Sequence, residues 1–196
     1  MNILVVYCHP VEDSFCAAVR DTVLTALGEA GHETRLLDLY AIGFDPVMGR
    51  EERRHYNEQT GGTHPFPEHV DHLKWAQGIV FVYPTWWYGL PAVLKGWLDR
   101  VWTPEISFRI DKDSGGITPL MTHIHALGVV TTCGASRWWS LVVGHPGLRT
   151  LTRGMRALFA KRCRKVVMIH YLMDVSTQAS RSSFLERVHT RMLKFR

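Results

Sequence analysis

The chain has 196 residues, 46% hydrophobic and 21% charged, with 16 Gly and 9 Pro. That balance fits one domain spanning residues 1–196 with a sizeable core, and it excludes a disordered or collagen-like chain. The formal charge of +5 is unevenly placed: 11 basic and 16 acidic residues run through Pro146, whereas 12 basic and 2 acidic residues run from Gly147 onward. A nucleic-acid function would need a recognisable reader module around those cations, and none is present. No apolar run approaches the roughly 20 residues that cross a bilayer. The start, MNILVVYCHP, has no basic segment ahead of its apolar stretch, so a soluble, cytoplasmic protein is expected. Cys8, Cys16, Cys133 and Cys163 lack CxxC spacing and read as reduced thiols. His69 and His72 in HVDH, and His123 and His125 in HIH, have no companion ligands at metal-site spacing, so no metal is expected.

In chain order, apolar runs at residues 3–7, 34–39, 79–83, 124–131 and 166–170 read as five strands. Four of them are near-continuous rather than alternating, as in parallel strands buried on both faces. Between the first two, Phe15, Val19, Val23, Ala26, Leu27 and Ala30 form a helical stripe that Gly31 ends as a C-cap. A second stripe, Val93, Leu94, Trp97, Leu98, Val101 and Trp102, follows Pro91 and closes before Pro104. Residues 68–75, 148–161 and 183–195 supply three more helices. The alternation predicts an α/β fold, a doubly wound five-stranded parallel sheet with helices on both faces. Two stretches fall outside it: residues 43–67 read as a short helix followed by a loop, and residues 103–120 as a long connection.

In such a sheet, ligands bind beyond the carboxyl ends of the strands, where strand order reverses. The loop after the first strand, CHPVEDSF, puts Ser14 at the start of a helix. Its hydroxyl and the unpaired amides behind it suit a phosphate, or Asp13 or Ser14 simply caps the helix. GxGxxG and GxxxxGK[ST] are both absent, which removes the dinucleotide fingerprint and the P-loop. The third strand runs into YPTWWYGLP, with four aromatics in six residues, which suits a flat ligand walled by rings. The fourth runs into TTCGASRWWS, where Thr131 and Thr132 offer hydroxyls and Gly134 admits a close planar edge.

These residues carry a resemblance. HPxxxSF near the start, DLYAIGFDPVM, YPTWWYGLPAVLKGWLDRVW and TTCG followed by His145 resemble the flavodoxin-like NAD(P)H:quinone oxidoreductases of the DT-diaphorase type. VVGHPG is also similar to an element of the shorter relatives that are ancillary proteins of glutathione-regulated potassium efflux systems. The resemblance implies a bound flavin, FAD or FMN, with His9, Ser14, Phe15 and Cys16 at its phosphate-bearing chain. It further implies Pro84, Thr85, Trp86, Trp87 and Tyr88 along one edge of the ring, and Thr131, Thr132, Cys133 and Gly134 at the pyrimidine end. Trp87, Tyr88 and His145 would wall the substrate pocket.

His145 matches the family's catalytic His, whereas Trp139 stands where its Tyr is expected, so the catalytic pair here is His145 and Trp139. Cys133 replaces a family Gly and either points away from the ring or narrows the pocket. The implied reaction is a ping-pong, two-electron hydride transfer from NAD(P)H through the flavin to a quinone or similar electron-poor acceptor, in a homodimer whose sites lie at the subunit contact. The alternative is a flavin-holding ancillary subunit in peripheral contact with a membrane transporter. In both, the C-terminal cations are a solvated face, or one that attracts the nucleotide or docks an acidic protein or membrane surface.

Overall fold

The computed structural model describes residues 1–57, 64–111 and 113–196. Five strands, β1 (Asn2–Tyr7), β2 (Glu33–Asp38), β3 (Gly78–Thr85), β6 (Ala126–Cys133) and β7 (Arg164–His170), form one parallel sheet in the order β2-β1-β3-β6-β7. Each matches an apolar run of the sequence within two residues at its start. The order reverses between β1 and β3, so the loops that leave these two strands diverge and open a crevice.

Period-2 alternation explains why the runs are continuous. Leu4, Val6 and Cys8 face one layer while Ile3, Val5 and Tyr7 face the other, and all six are buried. The first layer is built by α3 (Pro67–Trp75) and α4 (Ala92–Val101), the second by α1 (Phe15–Glu29) and α7 (Gln178–Met192). α4 approaches closely through Gly96, where a Cβ would fall 2.4 Å from Pro46. Gly31, at φ +75°, takes the left-handed position that ends α1.

The departures from the sequence reading have local causes. The helix expected over 148–161 is instead α6 (Pro146–Arg149), a π-helical turn (Thr150–Gly154) and a 3₁₀ turn (Met155–Leu158). Thr150 and Thr152 donate their hydroxyls back to the carbonyls of Pro146 and Leu148, a pattern that bends helices. α7 starts five residues before the expected 183, because Thr177 and Ser180 bond reciprocally as a capping box. TTCGASRWWS is not all loop: Ser136 accepts from the Trp139 N–H and opens α5 (Arg137–Val143), which Gly144 closes at φ +88°. The connection 103–120 contains an antiparallel hairpin, β4 (Phe108–Ile110) with β5 (Ile117–Pro119), whose strands are too short to register as periodicity. The short helix in 43–67 is α2 (Arg50–Arg54), and residues 58–63 of the expected loop lie outside the described residues.

Among the described residues no three His, Cys, Asp or Glu converge on a point, and no helix is long and apolar enough to cross a membrane. His69 has a packing role instead: its Nδ1 accepts a 3.0 Å hydrogen bond from Nε1 of the fully buried Trp97. An acceptor nitrogen must carry a lone pair, so a proton there breaks the bond. Burial holds His69 below the ordinary value of 6.5, and burial does the same for His64 and His170. Below that value the unfolded chain takes up protons that the folded one refuses. Stability is therefore present above the ordinary histidine pKa and lost as pH falls through the lower folded values. Urea midpoints should drop between pH 7 and pH 5, and His69→Gln, which accepts from Trp97 without titrating, should flatten part of that slope.

Candidate functional site

A cleft of about 570 Å³ opens at the carboxyl ends of β1, β3 and β6, lined by His9, Pro84, Thr85, Trp86, Trp87, Thr132, Cys133, Gly134, Met173 and Asp174. Three loops expected to converge do so. At the first, Ser14 is extended at φ −72° and its Oγ accepts from the Ala17 N–H at 3.1 Å, which caps α1 and leaves the hydroxyl its own proton to donate. The N–H groups of Phe15 and Cys16, in the first turn ahead of it, are the donors a helix start leaves over, and no acidic residue sits in that turn. The Cys16 side chain is buried with its thiol pushed up to about 12 by burial, and Phe15 packs edge-on against His170 and beside Phe184. The Cys16 thiol is thus closed to a ligand, whereas the Phe15 ring is half-buried. His9 Nδ1 lies 3.1 Å from the Val11 amide nitrogen and 3.2 Å from the Val11 carbonyl oxygen, contacts that hold the imidazole at the cleft.

The second loop is a turn closed by the Gly89 N–H donating to the Trp86 carbonyl at 2.9 Å. Its two central residues, Trp87 and Tyr88, have φ +48° and +61°. Left-handed backbone costs an ordinary residue roughly 1–2 kcal/mol, and here two bulky aromatics adopt it in succession. The turn leaves Trp87 95% exposed, standing at the mouth of the cleft. Of the five described non-glycine residues with positive φ, Trp87, Tyr88, His145 and Leu172 all belong to loops that frame this site. The Gly147 N–H donates to the Tyr88 carbonyl, and a Cβ at Gly147 would meet Gly89 at 2.7 Å, so the GHPG bend docks directly onto the aromatic turn.

The third loop separates the four residues of TTCG. Thr131 is buried with its Oγ1 3.0 Å from Thr85 Oγ1, tying β3 to β6 beneath the cleft rather than lining it. Thr132 and Gly134 line the cleft. The buried Cys133 thiol lies 3.6 Å from Ser140 Oγ of α5, while the residue also contributes to the lining of the cleft.

The largest correction concerns Trp139. Its Nε1–H donates to Tyr88 Oη at 2.8 Å and is therefore not free for a ligand. Because that oxygen accepts, the Tyr88 hydroxyl keeps its own proton to donate outward. A phenol donor thus sits beside the cleft, though not at the residue that family register suggested. His145, at φ +49°, enters α6, and its Nε2 lies 3.5 Å from Tyr171 Oη. Burial, then Arg149, holds its pKa below 6.5.

Sequence reading missed Tyr171, Met173 and Asp174. They follow β7, where a left-handed Leu172 starts a 3₁₀ turn (Met173–Val175) that brings Asp174 across to β6. A Cβ at Gly134 would fall 2.6 Å from Asp174 Oδ2, so glycine at 134 makes room for this carboxylate as well as for a planar ligand. The position of β7 beside β6 was the one available signal.

The family model for the flavodoxin-like fold, Flavodoxin_2, matches residues 1–194. The chain belongs to this family. An uncharacterized NAD(P)H oxidoreductase of Haemophilus influenzae is 34% identical over 112 residues, 57% of this chain and 55% of that protein. NAD(P)H dehydrogenase [quinone] 1 of Cavia porcellus is 30% identical over 121 residues, 54% of this chain and 44% of that one. The chain spans about half the length of the curated relatives it matches first. Among solved structures, Smu.1420 of Streptococcus mutans superposes with a TM-score of 0.84 at 26% identity, covering 98% of this chain and 99% of that one. The NAD(P)H:quinone oxidoreductase of Methanothermobacter marburgensis has the same fold, with a TM-score of 0.82 at 24% identity over 99% and 98% of the two chains. These comparisons give no support to the transporter-subunit alternative.

The strained turn yields a measurable trade-off. Trp87→Gly relieves one left-handed aromatic and should raise unfolding stability by about 0.5–1 kcal/mol, read from the urea midpoint, while removing the ring at the mouth of the cleft.

Proposed function

We propose that the chain is a flavin-dependent NAD(P)H:quinone oxidoreductase in which one flat slot serves donor and acceptor in turn. The observation that carries this reading is the slot itself: the aromatic residues Trp86 and Trp87, Thr132 and Gly134 at the carboxyl end of β6, and His9 from the loop that leads into α1 line one cleft. The names of the Cavia porcellus and Methanothermobacter marburgensis relatives support it.

The slot's residues fit a flavin. The Phe15 and Cys16 N–H groups, the Ser14 O–H and the His9 imidazole would hold its phosphate, and Pro84 to Trp87 with Thr132 and Gly134 would flank the ring. When bound, a flavin supplies reversible two-electron chemistry that no side chain provides. The protein's part is to bind, orient and place protons. Tyr88 donates from its hydroxyl while Trp139 holds the oxygen in place. His145 is neutral at pH 7, so it presents one N–H and one acceptor nitrogen, with Tyr171 Oη beside Nε2. Both donors can stabilise negative charge that develops at the ring's polar edge on reduction. Asp174 opposes it, because its carboxylate stands at Gly134 with no hydrogen-bond partner among the described residues.

A second copy of the chain would complete the slot. Trp87, Trp138, Leu141 and Val142 are all more than half exposed and leave an apolar face on α5 and the aromatic turn. That face supports the homodimer that the family resemblance implies.

Purified protein should carry flavin absorbance and oxidise NAD(P)H when menadione is supplied. Protein that is colourless and takes up no flavin on reconstitution would falsify the proposal. The mass of flavin released on denaturation identifies it as FMN or FAD. His145→Ala should lower kcat/KM by about 10²-fold with flavin still bound. Asp174→Asn should tighten flavin binding several-fold and raise its midpoint potential, both measured by titration, because a like charge leaves the slot. Sedimentation should show a dimer that Leu141→Glu converts to monomer.

A further inference from the structure

β7 is the outer strand of the sheet, and among the described residues no strand pairs with its far side. Its outward N–H and C=O groups are thus a template for a further strand. Three depressions of about 790, 560 and 320 Å³ run along this edge. They are continuous: Val167 and Arg187 line both the first and the second, and Arg191 and Lys194 line both the second and the third. Together they form a groove between β7 and α7 that follows the whole strand.

The groove combines an apolar floor with a cationic rim. Val167 is 36% exposed, and Leu172 and Val175 are more open still at the end nearest the 3₁₀ turn. Arg137 stands at that end, Arg187 and Arg191 along α7, and Arg164, Lys194 and Arg196 at the other end. None of these six forms an ion pair among the described residues, and Glu186 is the one acidic side chain that lines the groove. The positive surplus of the C-terminal quarter is therefore gathered in large part along an unpaired strand edge, where Glu186 is the single acidic side chain set against it.

We propose that this groove docks an extended acidic peptide segment of a partner protein, which adds to β7 as a sixth strand. Seven residues of β7 span about 23 Å, enough for a partner strand of about seven residues. Alternating side chains of that strand would place acidic groups against the arginines and apolar groups over Val167. Charge decides between occupants. A second copy of β7 would bring the same cations face to face. A phosphodiester chain is anionic but carries no N–H donors for the edge carbonyls, and a membrane surface cannot enter a groove to reach a strand. The proposal is independent of the flavin slot.

The test uses the intact protein and a fluorescein-labelled nonapeptide of alternating Glu and Val, followed by fluorescence anisotropy at low and physiological salt. Binding should weaken with salt, and by about tenfold in Arg191→Glu/Lys194→Glu, whose substituted side chains are exposed and remote from the slot. N-methylation of alternate peptide residues separates strand pairing from bulk charge. Methylation in one phase should cost about tenfold and in the other should be tolerated, because only alternate residues of an added strand bond to the edge. The outward amides of Lys165, Val167 and Ile169 should gain protection from hydrogen exchange. Unchanged anisotropy up to millimolar peptide, equal binding by both methylated peptides, or binding of single-stranded DNA or phosphatidylserine vesicles in preference to the peptide would each overturn the proposal.

Discussion

The molecule depends on a single constraint: five strands run the same way, and the three central ones, β1, β3 and β6, are buried on both faces. Burial on both faces requires a helical layer on each side, so every connection must cross a face and return to the opposite end. All the strand-to-helix loops therefore open at one edge of the sheet. Residues far apart in the chain, His9, Trp86, Gly134 and Asp174, meet there because Tyr7, Thr85, Cys133 and His170 are the carboxyl ends of adjacent strands. The reversal of order between β1 and β3 leaves the crevice that the helices cannot fill.

A rigid base lets the loops carry strain. Thr85 and Thr131 are tied beneath the cleft, and Gly147 is wedged against Gly89 behind the aromatic turn. Held from below and behind, Trp87 and Tyr88 can keep left-handed backbone that an isolated loop would relax. The same support places the Tyr88 oxygen where Trp139 reaches it. Side-chain chemistry at the mouth of the cleft is thus set by packing two layers below it.

Much of this was legible in the residues. Continuous apolar runs gave strand positions, Phe15 to Ala30 and Val93 to Trp102 gave two helices, and the YPTWWYGLP and TTCG segments marked two walls of the cleft. What periodicity missed were elements held by hydrogen bonds rather than by an apolar stripe. Ser136 and Gly144 define α5, Thr177 and Ser180 define the start of α7, and Thr150 and Thr152 bend what an uninterrupted apolar pattern suggested was one helix. Caps and back-bonds involve one or two polar residues each, too few to alter a periodic signal.

By itself, then, the sequence determined the five strands of the parallel sheet, its main covering helices, the family and the loops at which a ligand belongs, since these follow from local patterns of hydrophobicity and turn residues. Only the tertiary structure decided which side chains those loops present. Trp139 gives up its N–H to a tyrosine 51 residues away. Tyr171 comes beside His145, Asp174 beside Gly134, and scattered C-terminal arginines gather along the free edge of β7. Each of these pairings is a contact between strand ends or across a sheet edge, and strand order, which places them, is written in no single segment of the chain.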